Sequence, residues 1–251
     1  MGGFGRYAAS ACIMVGIMFV AWAPARADEQ AATADLSVEQ VEKIVREYLL
    51  REPEIVYRAL EELQRRQAEA AAARQRTAIA ENQSELLNDP ASPVGGNPDG
   101  DVTLIEFFDY RCAYCRRVVS SMRALLDEDR DLRVVFKELP VLGPDSVRAA
   151  RAALASRRQG SYVPFHFALM SADDLSPQGI RAAAEAVGLD ADRLEADMAA
   201  PEVTAAIEAN YALANELGIE GTPAFVIGTQ LIPGAVEKAR LEQLIREARS
   251  G

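Results

Sequence analysis

The sequence predicts an α/β fold with an inserted helical domain, preceded by a separate N-terminal helical segment. Three patterns carry this. Val102 to Phe108 is a β-branched and aromatic run with a helical stripe directly after it. Residues 145–217 are rich in alanine and punctuated by helix starts and stops. Strand character then returns at Ala224 to Ile227, near the C-terminal end. Strand and helix signals arranged in this way build a sheet covered by helices. With 251 residues, 49% of them hydrophobic, the chain can bury one substantial domain and still carry an accessory segment.

The first residues read as a leader. Arg6 supplies a positive start, residues 8–23 are almost wholly apolar, and Ala25-Arg26-Ala27 offers small residues at the cleavage positions. Cleavage is expected after Ala27, making residues 1–27 a signal peptide. A retained anchor is the competing reading, but the uncharged run falls short of the roughly 20 residues a spanning helix needs. Cys12 lies inside the apolar run, with no greasy segment ahead of it, and is expected to leave with the leader. The exported chain then keeps two cysteines, Cys112 and Cys115, in a periplasmic compartment where disulfides form and persist. Loss of Arg6 and Arg26 takes the formal charge from −11 to −13, which repels nucleic acid and anionic lipid headgroups.

After a short polar stretch, Ser37 is a helix cap, and Val38, Val41, Ile44, Val45, Tyr48 and Leu49 recur at helical spacing. Pro53 interrupts the pattern and opens a second helix whose stripe is Ile55, Val56, Ala59, Leu60 and Leu63. From Gln64 to Ala80 the stripe thins to alanine and charge. Residues 28–87 thus form a helical segment, either folded onto the main domain or used for oligomerisation. Residues 88–100, with three prolines and three glycines, read as a linker ahead of a domain spanning 101–251.

The run from Val102 to Phe108 is almost continuously apolar, as a strand buried on both faces should be, and Glu106 is its odd member. Val118, Val119, Met122, Leu125 and Leu126 give the following helix its apolar face. Leu132 to Phe136, ending at Lys137, is a second strand, and Pro140, Gly143 and Pro144 mark a turn. Within the helical insertion, Gly160, Ser176-Pro177, Gly188 and Pro201 mark boundaries, and Val203, Ile207, Tyr211, Ala214 and Leu217 share a face. Ala224 to Ile227, Gly228-Thr229-Gln230 and Leu231-Ile232 form a hairpin. A final helix, about Val236 to Ala248, carries Leu241, Leu244 and Ile245.

Two cysteines three positions apart at a helix start are close enough to bond, and open backbone N–H groups there favour a thiolate. The thiolate is the attacking species in disulfide exchange. Cys112, before the helix, is expected to be the exposed nucleophile, and Cys115, one turn on, the more buried resolving thiol. A purely structural disulfide is disfavoured because so short a loop restrains little chain entropy. Zinc is disfavoured because the exported chain offers two cysteines and one histidine where a structural site takes four ligands. No metal or other cofactor is expected.

Phe107-Phe108-Asp109-Tyr110-Arg111-Cys112-Ala113-Tyr114-Cys115 resembles the active-site segment of the DsbA-like thioredoxin family, and Gly221-Thr222-Pro223-Ala224-Phe225 resembles its second signature. The resemblance implies a thioredoxin fold with an inserted helical domain and a cis Pro223 facing the cysteines. It also implies that backbone beside Thr222 pairs with an extended substrate and that Ala113 and Tyr114 tune the thiols. Ala113-Tyr114 departs from the histidine-containing dipeptide of the best-known member. Thr222 resembles the residue of several isomerases and reductases, where oxidases often carry valine. Glu106, six residues before Cys112, falls where thioredoxin-like proteins resemble one another in keeping an acid beneath the site; isolated burial would raise its pKa toward neutrality and suit it to accept the Cys115 proton. Lys137 is expected to pair with it, unless both are simply solvated at strand ends. His166, the only histidine, is either an acid-base group or a structural residue of the insertion.

The layout with an N-terminal helical stretch is similar to the ScsC type, which implies self-association through residues 28–87 and isomerase activity. The expected function is dithiol-disulfide exchange, by oxidation or isomerisation, in exported proteins bearing thiols or disulfides. A membrane redox partner is implied as well. The alternative is a periplasmic chaperone or copper(I)-binding protein using the same soft thiolates.

Overall fold

Ser37 starts the first helix by answering N–H groups that a helix end leaves open. Its hydroxyl accepts from Gln40 N–H at 3.3 Å, and the Gln40 side chain accepts from Ser37 N–H at 2.9 Å. In this computed structural model, which describes residues 36–250, α1 (Val38–Arg51) follows that cap. The expected leader lies outside the described residues. Pro53 separates α1 from α2 (Glu54–Glu81), a 28-residue helix. By compactness the chain divides within α2, between Arg58 and Ala59. No residue of α1 is buried, and Val38, Val41, Ile44, Val45, Tyr48, Ile55, Leu60 and Leu63 are all exposed. Among the described residues no helix is long and apolar enough to cross a membrane.

The unit from Ala59 onward is built on five strands. The end of α2 leads into α3 (Gln83–Leu87), and the chain then enters β1 (Val94–Gly96), β2 (Val102–Phe108), α4 (Ala113–Glu128) and β3 (Leu132–Glu138). The helical insertion follows as α5 (Pro144–Ser156), α6 (Tyr162–Ser171), α7 (Pro177–Ala186), α8 (Ala191–Asp197) and α9 (Pro201–Glu216). The chain closes with β4 (Ala224–Ile227), β5 (Gln230–Pro233) and α10 (Lys238–Ser250). The sheet order is β1-β3-β2-β4-β5, with β2 and β3 parallel and the other pairs antiparallel. This is a mixed thioredoxin-like sheet with inserted helices.

Strand β2 is apolar throughout because both its faces are covered. Leu104 and Phe108 pack with Met122 and Leu125 of α4, Leu241 of α10 and Phe165 of α6. On the other face, Ile105 and Phe107 pack with Ile79 of α2, Leu86 of α3 and Leu213 and Leu217 of α9. Alanine serves α5 on two sides, Ala149 and Ala152 facing the first layer and Ala150 facing Val203 and Ile207 of α9.

The stretch expected as a linker is held by the sheet. Val94, Gly95 and Gly96 pair with β3, Pro93 O accepts from Phe136 N–H at 2.9 Å, and Asn97 N–H donates to Leu132 O at 2.9 Å. Gly96 has φ 72°, a left-handed conformation beside the Leu132 carbonyl that leaves no room for a Cβ. Glycine and proline density here reflects close backbone approach rather than a free tether.

Candidate active site

The cysteine pair sits at the junction of β2 and α4. Cys112 is the N-cap of α4, in extended conformation, and its Sγ accepts from Cys115 N–H at 3.4 Å. Both cysteines are free thiols, and the Cys112 thiol donates to Thr222 O at 3.2 Å. Cys115 is fully buried, whereas Cys112 retains 5% exposure. The expected order of accessibility holds, but Cys112 is not the open nucleophile anticipated, because the Thr222–Pro223 segment lies against its sulfur. The Thr222–Pro223 bond is cis.

Sequence reasoning passed over Asp109, which shapes the turn. Its carboxylate accepts from Arg111 N–H at 2.7 Å, Leu142 N–H at 2.9 Å and Ser146 Oγ at 2.8 Å, and its carbonyl accepts from Cys112 N–H at 3.1 Å. Arg111 Nη1 adds a bond to Leu142 O at 2.9 Å. The turn bearing Cys112 is thereby fixed to the loop after β3. An aspartate directly after the apolar run was the signal available for it.

Ala113 and Tyr114 are exposed at the surface beside the pair, and the Arg117 guanidinium lies 4.2 Å from the centre of the Tyr114 ring. An open cleft of about 690 Å³ runs alongside. Its walls include Tyr114, Arg117 and Ser121 of α4, Gly221 and Thr222, and Gln75 of α2. The contribution of Gln75 had no signal in the sequence, since it comes from the charged, alanine-rich part of the N-terminal helices.

Glu106 lies on the same face of β2 as Leu104 and Phe108, the face covered by α4 and Cys115. It is 2% exposed, and its Oε2 has no hydrogen-bond partner. Burial pushes its pKa up to about 8. Burial also raises the Cys115 thiol, and the Glu106 charge adds to this, so Cys115 holds its proton until a base removes it. Its raised proton affinity lies nearer to that of the buried thiol than an ordinary carboxylate's would.

Lys137 does not pair with Glu106. Side chains alternate along a strand, and β3 directs Val134 and Phe136 to the α4 side and Val135 and Lys137 to the other. The Lys137 Nζ instead donates to Glu85 O at 2.7 Å and Asp89 Oδ2 at 2.9 Å, anchoring the segment before β1. Burial lowers its pKa, with Asp89 opposing. His166 is fully buried, with its ring stacked on Tyr162 at 5.8 Å, and Nδ1 is 3.1 Å from Tyr110 Oη. Burial lowers its pKa to about 3 and keeps it neutral. Its polar contact is to Tyr110, not to a cysteine sulfur.

Glu106→Gln gives a prediction with two arms. A carboxyl whose folded pKa is raised stabilises the fold least at high pH. Its penalty is absent below the unfolded value, grows as pH rises, and is complete above about 8. The substitution is therefore expected to raise stability at pH 8 by roughly 2–4 kcal/mol and to leave it nearly unchanged at pH 4. Urea unfolding at the two pH values measures this. At pH 8 the same variant is expected to slow release of a Cys112-linked mixed disulfide by on the order of 10²-fold, as loss of a positioned base does.

The family described as DSBA-like thioredoxin domain matches residues 103–246, and the Copper resistance protein ScsC N-terminal domain matches residues 38–70. A thioredoxin-like oxidoreductase from Silicibacter pomeroyi is 49% identical, with a TM-score of 0.66, over 68% of this chain and 99% of that one. Proteus mirabilis ScsC in a transitional conformation is 30% identical, with a TM-score of 0.65, over 84% of this chain and 96% of that one. Among curated relatives, a Na(+)/H(+) antiporter NhaA of Herminiimonas arsenicoxydans is 30% identical over 66% of this chain, but the chain spans only 28% of its length. Antiport is that protein's activity.

Proposed function

The chain belongs to the DsbA-like thioredoxin family of thiol-disulfide oxidoreductases, and on that premise we propose that it catalyses dithiol-disulfide exchange in exported proteins, with isomerisation as its principal work. The observation that carries the exchange reading is the Cys112 sulfur: it is the more accessible of the pair, it receives the Cys115 N–H, and it lies against Thr222 O. The neighbouring cleft supplies room for an extended client segment beside that sulfur.

The reaction follows from the arrangement. The Cys112 thiolate attacks one sulfur of a client disulfide, forming the Cys112–client bond and releasing the other client sulfur as thiolate. Glu106 accepts the Cys115 proton, the Cys115 thiolate attacks Cys112 Sγ, and the client leaves with its second thiol restored. An isomerase keeps the first step: the freed client thiolate attacks a second client disulfide and releases a new client thiolate, and that thiolate attacks the client sulfur bound to Cys112, which forms a new client disulfide and returns Cys112 as thiolate. Oxidation of client thiols is the first sequence in reverse, with the Cys112–Cys115 disulfide renewed by a membrane redox partner. Export rests on the leader pattern of residues 1–27.

Isomerisation is favoured by α1 and the first turns of α2. Their apolar residues are exposed and suit self-association, which would hold several cysteine pairs around one client. Capture of clients on Cys112 in a Cys115→Ser protein tests the exchange reading. Covalent adducts are expected, and their absence with a reactive model disulfide would contradict it.

A further inference from the structure

Glu138 ends β3 on the same sheet face as Glu106. The parallel register sets Glu106 opposite Phe136 and Phe108 opposite Glu138, so the two acids are diagonal neighbours on that face. Glu138 is 1% exposed, and Oε1 accepts from Tyr162 Oη at 2.8 Å and Tyr110 Oη at 3.0 Å. Tyr110 Oη also lies 3.1 Å from His166 Nδ1, while Glu138 Oε2 has no partner. The ionisable groups around Glu138 are Tyr110 and Asp109 of the active-site turn, Glu106 of β2, and Tyr162 and His166 of α6. Arg123 of α4 acts on His166, and α9 contributes the neutral Asn210, which donates to Glu138 O at 3.1 Å. Among the described residues no lysine or arginine forms an ion pair with Glu138.

A hydroxyl has one proton, so Tyr110 donates to only one of its two neighbours. When it donates to Glu138 Oε1, that oxygen is bare, any carboxyl proton sits on the unpartnered Oε2, and His166 Nδ1–H donates to Tyr110 Oη. When it donates to His166 Nδ1, Glu138 Oε1 carries a proton given to Tyr110 Oη, and the histidine proton sits on Nε2. The second arrangement holds one proton more than the first with Oε2 bare, and every heavy atom stays in place.

We propose that Glu138, linked through Tyr110 to His166, is a second proton-holding group of the redox centre, coupled to Glu106 so that the protonation of the pair sets the pH at which Cys115 yields its proton. It is a positioning and tuning residue that touches neither sulfur, and its role rests on the exchange reading above. Burial, against the two tyrosine hydroxyls, holds the Glu138 carboxyl well above the usual range, and the Glu106 charge adds to this. Two buried acids on one face titrate as a coupled pair, over a wider pH range than either would alone.

Single-turnover release of a client from its Cys112 mixed disulfide, followed against pH in the full chain, tests the proposal. Wild type is expected to show a profile broader than a one-proton curve. Glu138→Gln keeps the size and the tyrosine contacts but has no proton to exchange. It is expected to give a one-proton curve, with the apparent proton affinity of the base reduced at least roughly threefold. The reduced-minus-oxidised infrared difference spectrum is expected to show two responding carboxyl bands in wild type and one in Glu138→Gln. Tyr110→Phe retains both acids, cuts the link to His166 and removes one donor from Oε1. It is expected to move the upper step of the profile to higher pH, and it carries the test if Glu138→Gln fails to fold. A uniform fall in rate with an unchanged profile in either variant marks a structural role and overturns the proposal, as does a one-proton profile in wild type. A wild-type protein that exchanges disulfides with an unaltered profile in the variants sinks this inference alone, whereas one that forms no mixed disulfide sinks the exchange reading.

Discussion

Cys115→Ser is expected to accumulate clients bound covalently through Cys112, whereas Cys112→Ser is expected to fall to the uncatalysed background. The asymmetry follows from position. Cys112 caps α4 and is the more accessible of the pair, while Cys115, one turn on, is fully buried. Serine at 112 removes the attacking thiolate, so no mixed disulfide forms. Serine at 115 leaves attack intact but removes the internal thiol that resolves the adduct, and release then depends on external thiol over minutes to hours. Non-reducing electrophoresis of each protein with a disulfide-bearing client reads both outcomes. Equal activity in the two single variants would overturn the assignment of roles.

Removal of residues 28–58 is expected to turn an oligomer into a monomer that still oxidises thiols but no longer reshuffles wrong disulfides. Val41, Ile44, Val45, Tyr48 and Leu49 lie exposed on α1, and Ile55 and Val56 at the start of α2. An isolated 14-residue helix is only marginally stable without packing. Burial of each such side chain contributes about 1.5–3 kcal/mol, so a handful per chain suffices to drive association. The cut belongs at Arg58, where the compact units divide, and not at residue 87. Ile79 and Leu86 are buried against Ile105 and Phe107, and a deletion reaching 87 would open the core of the remaining unit. Val41→Glu with Val45→Glu in the full chain is expected to reproduce the effect. Sedimentation showing the same monomeric mass for the full and shortened chains would contradict it.

The strands and most helix boundaries were legible because local chemistry determined them. Ser37 caps, Pro53 and Pro201 lie where helices begin, and the continuous apolar run of β2 announced burial on both faces. Cys112 and Cys115 were legible by spacing, and Glu106 by its lone charge within that run. What sequence did not show depends on contacts between distant segments. The edge strand β1 is three residues long and is defined by its pairing with β3, so its glycines resembled a tether. Lys137 finds Asp89 rather than Glu106 because the alternation of β3 turns it to the opposite face. The same alternation, carried one residue further, places Glu138 beneath the site. Asn210 and Gln75 reach their positions only through the packing of α9 and α2.

Multiple-turnover reactivation of a scrambled-disulfide protein in a glutathione buffer tests the central claim most directly. Many client molecules are expected to regain native pairing per chain, with the activity lost in Cys112→Ser. Recovery limited to one client per chain, or unaffected by Cys112→Ser, would show that the cysteine pair binds rather than catalyses and would contradict the account.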